Sequence, residues 1–526
     1  MKIELLDSTL RDGAQAEGIS FSVEDKLNIV RTLDDLGITY IEAGNPGSNP
    51  KDIEFFERAA NMGLKNSQLV AFGSTRRKNT STQDDPNVLS LLAAGTSTVS
   101  IFGKSSDFHA IQILGTTLEE NLEMIKDTVS FFKKHGKTVI FDAEHYFDGY
   151  ASNPQYALSA LRAAVEAGAD KIVLCDTNGG TYPAKINKLT QEVVNMFPAL
   201  TVGIHCHNDA DMAVAGSLMA VDAGATHVQG TFIGFGERCG NATLTSIIAN
   251  LQLKMGYEVL DPANLARLAP TARYIAEISN IILPGSMPYV GMSAFAHKAG
   301  MHADGVSKAT TSFEHVDPES VGNERRFLLS EIAGRTAILK KINSIFPEIK
   351  KDSPEAAAIL AELKELERQG YQFEGAESSF ELMVRKRLGK YKSFFELVSY
   401  KIIEEYPGVD NYSSTATIKI RVNGVPQISA AEGDGPVHAL DKALRLALET
   451  FYPSLKEVHL TDYKVRVMEP QHATGAKVRV LIQSTDGESL WSTVGVSTDI
   501  IEASWIALVD SIDYKLLKDQ ERKKRS

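Results

Sequence analysis

Thr201-Val202-Gly203-Ile204-His205-Cys206-His207-Asn208-Asp209 opens with an apolar run that reads as a buried strand and ends in two histidines one residue apart. Side chains alternate faces along a strand, so His205 and His207 point one way and Cys206 the other. Two imidazoles on one face, at the carboxyl end of a strand, can grip one divalent cation if an acidic or amide oxygen arrives from elsewhere. A pair of core or surface histidines is the plainer reading of an isolated His-x-His, and the rest of the chain must decide between the two.

The same kind of run recurs at Ile3 to Asp7, Thr39 to Ala43, Gln68 to Phe72, Thr98 to Phe102, Thr138 to Phe141, Lys171 to Cys175 and Thr226 to Gly230, which makes eight. Between them lie stretches of helical period such as Val23 to Leu36 and Leu118 to Lys134. Several close on a glycine suited to a helix end, as in Asp35-Leu36-Gly37 and Lys134-His135-Gly136. Eight strand-helix units in about 250 residues predict an α/β fold, the (β/α)8 TIM barrel. A doubly wound open sheet is the alternative, but it seldom runs to eight regular repeats and usually has a Gly-rich phosphate turn after its first strand. Here that turn reads Arg11-Asp12-Gly13-Ala14-Gln15, and Gly234-Phe235-Gly236-Glu237-Arg238-Cys239-Gly240 has the wrong spacing for a dinucleotide fingerprint.

The barrel is expected over residues 1–258 and a helical linker or lid over 259–375, with a helix capped by Ser353, started by Pro354 and stopped by Gly370. From 376 to 526 the period changes to strand alternation. Ser393 to Tyr400, Thr415 to Val422 and Pro426 to Ala430 lead to a helix opening at Gly435-Pro436. Lys464 to Met468, Ala476 to Gln483 and Trp491 to Val496 then lead to a helix through Ile500 to Ile512. Two successive β-β-β-α units predict a C-terminal α+β domain that regulates or dimerises.

Composition narrows the function classes. The chain has 526 residues, 43% hydrophobic and 23% charged, and no apolar run approaches the roughly 20 residues that cross a bilayer, so no membrane residence is expected. Met1-Lys2 leads straight into the first strand with no signal segment, which predicts a cytoplasmic protein. A net charge of −12 argues against nucleic acid as a partner, and the basic run Arg522-Lys523-Lys524-Arg525 reads as a solvated, frayed tail. Cys175, Cys206 and Cys239 are too few and too scattered for a disulfide framework; Cys175 and Cys206 read as packing residues.

In such barrels the chemistry sits at the carboxyl ends of the strands. There this chain places Arg11, Asp12 and Gln15 after strand one, Glu42 on strand two, and Glu144-His145 after strand five. Asp176-Thr177-Asn178 follows strand six, His205 and His207 end strand seven, and Gly240-Asn241 lies beyond strand eight. Singly, many of these are caps or loop residues. Together, Asp12, His205 and His207 offer two nitrogens and an oxygen to a cation that prefers six ligands, Mg2+ or Mn2+ ahead of Zn2+. The open positions suit the carboxylate and keto oxygens of a 2-oxo acid, with Arg11 placed to stabilise a developing alkoxide and Thr177 to bond the carboxylate.

Asp7-Ser8-Thr9-Leu10-Arg11-Asp12-Gly13-Ala14-Gln15, with His205-x-His207 and Gly240-Asn241-Ala242, resembles the DRE-TIM metallolyases, the barrel family that includes 2-isopropylmalate, homocitrate and citramalate synthases. Gly44-Asn45-Pro46-Gly47-Ser48, Ser100-Ile101-Phe102-Gly103-Lys104, Phe141-Asp142-Ala143-Glu144-His145 and Glu374-Gly375-Ala376-Glu377 look most like the citramalate synthase branch. Gly433-Asp434-Gly435-Pro436-Val437 and Trp491-Ser492-Thr493-Val494-Gly495 resemble these synthases' allosteric domain.

The resemblance implies an acyltransferase that joins acetyl-CoA to pyruvate in isoleucine biosynthesis, with isoleucine as feedback inhibitor and a homodimer as the assembly. It makes Asp12, His205 and His207 metal ligands with Asn241 nearby or additional, and Arg11 the electrophilic catalyst, oriented by Gln15 and Glu42. Glu144 would lie beside the acetyl group. His302, in Ala299-Gly300-Met301-His302-Ala303-Asp304-Gly305, matches a histidine of the proton-abstracting machinery, and Phe313 stands where the family often has a tyrosine. 2-Isopropylmalate synthase, acting on 2-oxoisovalerate, is the nearest rival, and homocitrate synthase follows. A noncatalytic amino-acid sensor is the rival from another class.

Overall fold

Eight parallel strands close into a barrel in chain order: β1 (Glu4–Asp7), β2 (Tyr40–Gly44), β3 (Gln68–Ser74), β4 (Thr98–Lys104), β5 (Thr138–Glu144), β6 (Lys171–Asp176), β7 (Thr201–Cys206) and β8 (His227–Gly230). β1 pairs with β2 on one side and β8 on the other, the last register pair being Asp7 with Gly230. The computed structural model describes residues 1–47, 49–297, 300–327, 342–343, 345–347, 349, 353–409, 412–468, 475–487 and 489–525. Ser48, Ala299 and much of the expected helical linker, 328–341 included, lie outside the described residues. The chain divides into two units, Met1–Ala296 with Glu314–Arg326 and His297–Phe313 with Phe327–Ser526.

Local chemistry explains why strands and helices alternate. In the first helix, Val23–Leu36, Ser22 accepts a hydrogen bond from the Asp25 amide while the Asp25 side chain reaches back to the Ser22 amide, satisfying otherwise orphaned donors at the helix start. Leu27, Val30 and Leu33 are buried at helical spacing, and Gly37 ends the helix at φ 98°, a left-handed conformation that costs a residue with a Cβ. Each such side chain contributes roughly 1.5–3 kcal/mol on leaving water. The barrel strands are buried on both faces. Leu5, Ile41 and Val99 face the helices, while Leu6, Tyr40, Val70, Ile140, Val173 and Cys175 form a separate plug inside the barrel.

Strand parity then sorts the interior into layers. Toward the amino ends, Lys171 Nζ donates to Glu4 Oε2 at 2.5 Å, with His227 beside them. Toward the carboxyl ends, one step above the plug, come Glu42, Asp142, His205 and Gln229, all buried. The polar layer therefore rests on an apolar floor and opens only at the barrel mouth.

In the second unit, Ser353 caps the helix Pro354–Gln369 by accepting from the Ala356 amide, and Gly370 stops it at φ 109°. Two three-stranded antiparallel sheets follow: Glu396–Val409, Tyr412–Val422 and Val425–Gly433, then His459–Val467, Val478–Thr485 and Leu490–Ser497. Each leads to a helix, Pro436–Glu449 after the first and Ile500–Arg525 after the second, giving the two β-β-β-α units expected. The second helix does not stop at Ile512. Its buried Leu516 and Leu517 carry it onward, so the basic run read as a frayed tail is instead helical, with Arg522 and Lys523 still exposed. Among the described residues no helix is long and apolar enough to cross a membrane.

On that helix Asp513, 1% exposed, accepts a hydrogen bond from the Tyr391 hydroxyl, and burial pushes its carboxyl up to about 6. An acid that holds its proton more tightly folded than unfolded stabilises fully below its unfolded pKa, and that stability is lost as pH rises through about 6. Asp513→Asn keeps an acceptor for Tyr391 without the charge, so at pH 8 it should stabilise this unit by about 1–3 kcal/mol, with the gain gone at pH 4. Both tryptophans of the chain, Trp491 and Trp505, lie in this unit, so denaturant curves followed by their fluorescence report on it directly. Equal gains at both pH values would refute the assignment.

Candidate active site

The turn after β1 delivers the acidic group. The amides of Arg11, Asp12 and Gly13 all donate to the Ser8 carbonyl, and this tight wrap turns the Arg11 and Asp12 side chains over the barrel mouth. β7 supplies His205 from its own length and His207 from the residue beyond its end, where His207 bridges Asn241. Asn241 is presented by Gly240, which adopts φ 86° and packs so closely that an added Cβ would lie 2.1 Å from the Gly234 carbonyl oxygen. Only glycine fits there.

Asp12 Oδ2 lies 3.5 Å from His205 Nε2 and 3.9 Å from His207 Nε2, and the Asn241 amide is 3.2 Å from His205 Nε2. Asp12, His205 and His207 each offer a ligand atom within 4.8 Å of the others, and all three are buried. Asp12 Oδ1, Asn241 Oδ1 and His207 Nδ1 are buried without a hydrogen-bond partner, a costly state for polar atoms unless a further group satisfies them. Two carboxamide or carboxylate oxygens left open beside two imidazoles fit a divalent cation.

Charge is concentrated here. Arg11 Nε donates to Glu42 Oε2 at 2.6 Å and Nη1 to Asp12 Oδ2 at 3.0 Å, while its guanidinium carbon sits 3.7 Å from the centre of the Phe72 ring. Burial works to raise the Asp12 pKa, but Arg11 and the two histidines outweigh it and hold the group ionised, well below the usual carboxylate range. Glu42, 0% exposed, goes the other way: burial pushes it up to about 7 despite Arg11. Burial, with His205 beside it, lowers His207 to about 4, so this imidazole is neutral and free to donate a lone pair.

Arg11, Asp12, His205 and His207 line a cavity of about 300 Å3 together with Gln15, Glu144 and Thr177, and Glu42 lies behind Arg11. Glu144 ends β5 and forms an ion pair with Lys104 at the end of β4. Thr177 Oγ1 accepts from the His145 amide at 2.8 Å, leaving its hydroxyl hydrogen to donate elsewhere. Gln15 sits at the exposed rim, while Glu42 makes the contact to Arg11. His302 belongs to the second unit, on the helix Gly300–Lys308, where its exposed ring stacks on Phe313 with centroids 4.1 Å apart.

Several lining residues were not anticipated. Phe72 and Phe102 stack on adjacent strands with centroids 5.2 Å apart. Arg238 pairs with Asp209 and donates to the Thr177 carbonyl, bracing the loop that carries Thr177. Cys175, read as a packing residue, borders both the plug and the cavity, because its register partner across the sheet is His205. Cys206 faces the helices, as alternation requires.

Residues 2–275 match the HMGL-like family, 289–371 the homocitrate synthase post-HMGL domain-like family, and 374–516 the LeuA allosteric (dimerisation) domain. The chain is 53% identical over 521 residues to an (R)-citramalate synthase of Aquifex aeolicus, covering 99% of both chains. It is 48% identical over 527 residues to one from a Synechocystis species, covering 97% of this chain and 96% of the relative. Identity to a probable 2-isopropylmalate synthase of Methanopyrus kandleri is 32%, over 97% of this chain and 98% of the relative.

Proposed function

The chain belongs to the HMGL-like family, in its citramalate synthase branch, and from that membership we propose that it condenses acetyl-CoA with pyruvate to give (R)-citramalate and CoA. The observation that carries the reading to particular residues is the buried trio of Asp12, His205 and His207, with Asp12 Oδ1 and Asn241 Oδ1 buried and without hydrogen-bond partners. Asp12, His205 and His207 would hold the cation, Mg2+ or Mn2+ ahead of Zn2+, with Asn241 as a further oxygen ligand. Bound there, the metal anchors the oxo acid and makes its keto carbon electrophilic.

The chain's own residues do the rest. The thioester methyl loses a proton to a base, the resulting carbanion equivalent bonds to the keto carbon, and water then cleaves the thioester to release CoA. Arg11, held by Glu42 and stacked on Phe72, faces the oxygen on which negative charge gathers, and a preset donor there lowers the barrel-mouth barrier. Thr177 donates its free hydroxyl hydrogen to the substrate carboxylate. Glu144 and His302 are the proposed proton-transfer pair: Glu144 lines the cavity, paired with Lys104, His302 is carried over from the family resemblance, and the working assembly is a homodimer through the LeuA-type domain. His302→Ala should cut turnover and spare pyruvate affinity; wild-type turnover in that variant removes the imidazole from the scheme. A cleft of about 270 Å3 that shares Arg11, Gln15, Asn45 and Phe72 with the cavity gives the thioester arm its approach.

The stacked Phe72 and Phe102 rings line the cavity, and we propose that they set its choice of oxo acid in favour of pyruvate. One or two methylenes in such a pocket discriminate by about 1–3 kcal/mol, or 10–200-fold. Thiol release from acetyl-CoA should therefore be fastest with pyruvate across a panel of oxo acids, and Phe102→Ala should narrow its lead over 2-oxoisovalerate. In the same assay isoleucine, the proposed end-product effector of the C-terminal domain, should inhibit where leucine does not. A wild-type preference for 2-oxoisovalerate, or indifference to isoleucine, would refute the corresponding half of the reading.

A further inference from the structure

Beneath the proposed metal centre runs a buried line of side chains with no part in the chemistry described so far. His205 Nδ1 lies 2.9 Å from Gln229 Oε1, its register partner's side chain on β8. Gln229 Nε2 in turn donates to Asp142 Oδ1 at 3.0 Å, and Ser100 Oγ donates to the other oxygen, Asp142 Oδ2, at 2.7 Å. Gln229 and Ser100 are 0% exposed, and Asp142, 4% exposed, reaches the cavity wall.

The direction of each bond follows from what each group can do. A neutral imidazole has one N–H and one lone pair, and a cation can bind only the nitrogen bearing the lone pair. Gln229 alone leaves the choice open, since its amide can donate or accept. Asp142 removes the choice, because its Oδ2 accepts from the Ser100 hydroxyl and its Oδ1 from the Gln229 amide nitrogen. The Gln229 NH2 group must face Asp142, where His227 Nε2 at 3.5 Å offers a further acceptor. Its carbonyl then faces His205 and demands a proton on Nδ1.

We infer that Gln229, keyed by Asp142 and Ser100, is a positioning residue that fixes His205 as the Nδ1–H tautomer and keeps the Nε2 lone pair turned toward Asp12 and Asn241. The inference rests on reading Asp12, His205 and His207 as the metal ligands. Partners of this kind set ring orientation and tautomer, and losing one typically weakens metal binding by about 10–100-fold.

The test uses the full-length, metal-stripped chain with 15N-labelled histidine. The wild-type His205 resonances, assigned by their absence in His205→Asn and followed at a pH high enough that the ring is neutral, should report a single proton, on Nδ1. Gln229→Met, similar in shape but without an acceptor, should lower Mn2+ affinity in calorimetric titration by about 10–100-fold and move His205 toward the other tautomer. Gln229→Glu should recover affinity, because a glutamic acid that donates its proton to Asp142 still presents a carbonyl to His205. A wild-type proton on Nε2, or wild-type Mn2+ affinity in Gln229→Met, overturns the inference while the metal centre stands. Failure of the wild-type chain to bind Mn2+ overturns both. Should Gln229→Met not fold, the wild-type tautomer decides alone.

Discussion

Asp12→Asn should leave a folded chain that no longer turns over, with a loss of at least about a thousandfold. The substitution keeps the size of the side chain and removes one negative charge from a site where burial makes every charge count. Asp12 is the single carboxylate of the proposed ligand set, and Arg11, His205 and His207 hold it ionised against the cost of burial. An amide in its place offers a cation only a dipole. Lewis-acid stabilisation of a developing alkoxide is worth several kcal/mol, and each 1.36 kcal/mol is tenfold in rate, which gives the expected loss. Mn2+ titration should show the affinity falling in parallel, and stripping the wild-type chain with a chelator should reproduce the loss until Mn2+ is returned. Full metal-dependent turnover in Asp12→Asn would leave the proposed centre without its anionic ligand.

The barrel was legible because its strands are buried on both faces. Apolar runs such as Thr201 to Ile204 and Lys171 to Cys175 had no solvent-facing residues to blur them, and β6 and β7 lie where those runs do. The same double burial hides which face looks inward. Leu5 and Leu6 are equally apolar, yet one packs on helices and the other in the barrel, so Phe72, Phe102 and Gln229 gave no sign that they line the mouth or stand beneath it. His205 and His207 escaped this ambiguity, because a polar pair at a strand's carboxyl end declares its own parity. Asp12 and Arg11 were readable from their position just past β1, whereas Arg238 acts through a loop whose path no periodicity records. His302 came only from family resemblance, since an exposed histidine on a short helix carries no physical mark of its own.

Arg11 offers a way to separate the metal's part from the protein's. Its guanidinium is held on three sides, by Glu42 through Nε, by Asp12 through Nη1 and by the Phe72 ring beneath it. Such a group meets the transition state without rearranging, which is what makes preset donors effective. Arg11→Gln removes the charge while leaving Asp12, His205 and His207 in place, so Mn2+ should bind no more weakly than to wild type. Removing one preset donor of this kind costs about 10²–10³ in kcat, and most of the effect should appear there rather than in the KM for pyruvate, because the charge it stabilises exists only as the new carbon–carbon bond forms. Arg11→Lys should rescue little, since an ammonium lacks the planar fork that contacts Glu42 and Asp12 together. A variant that binds Mn2+ normally and keeps wild-type kcat would take Arg11 out of the chemistry and leave it the counter-ion of Glu42. Parallel loss of Mn2+ affinity and turnover would make it a support for Asp12 instead.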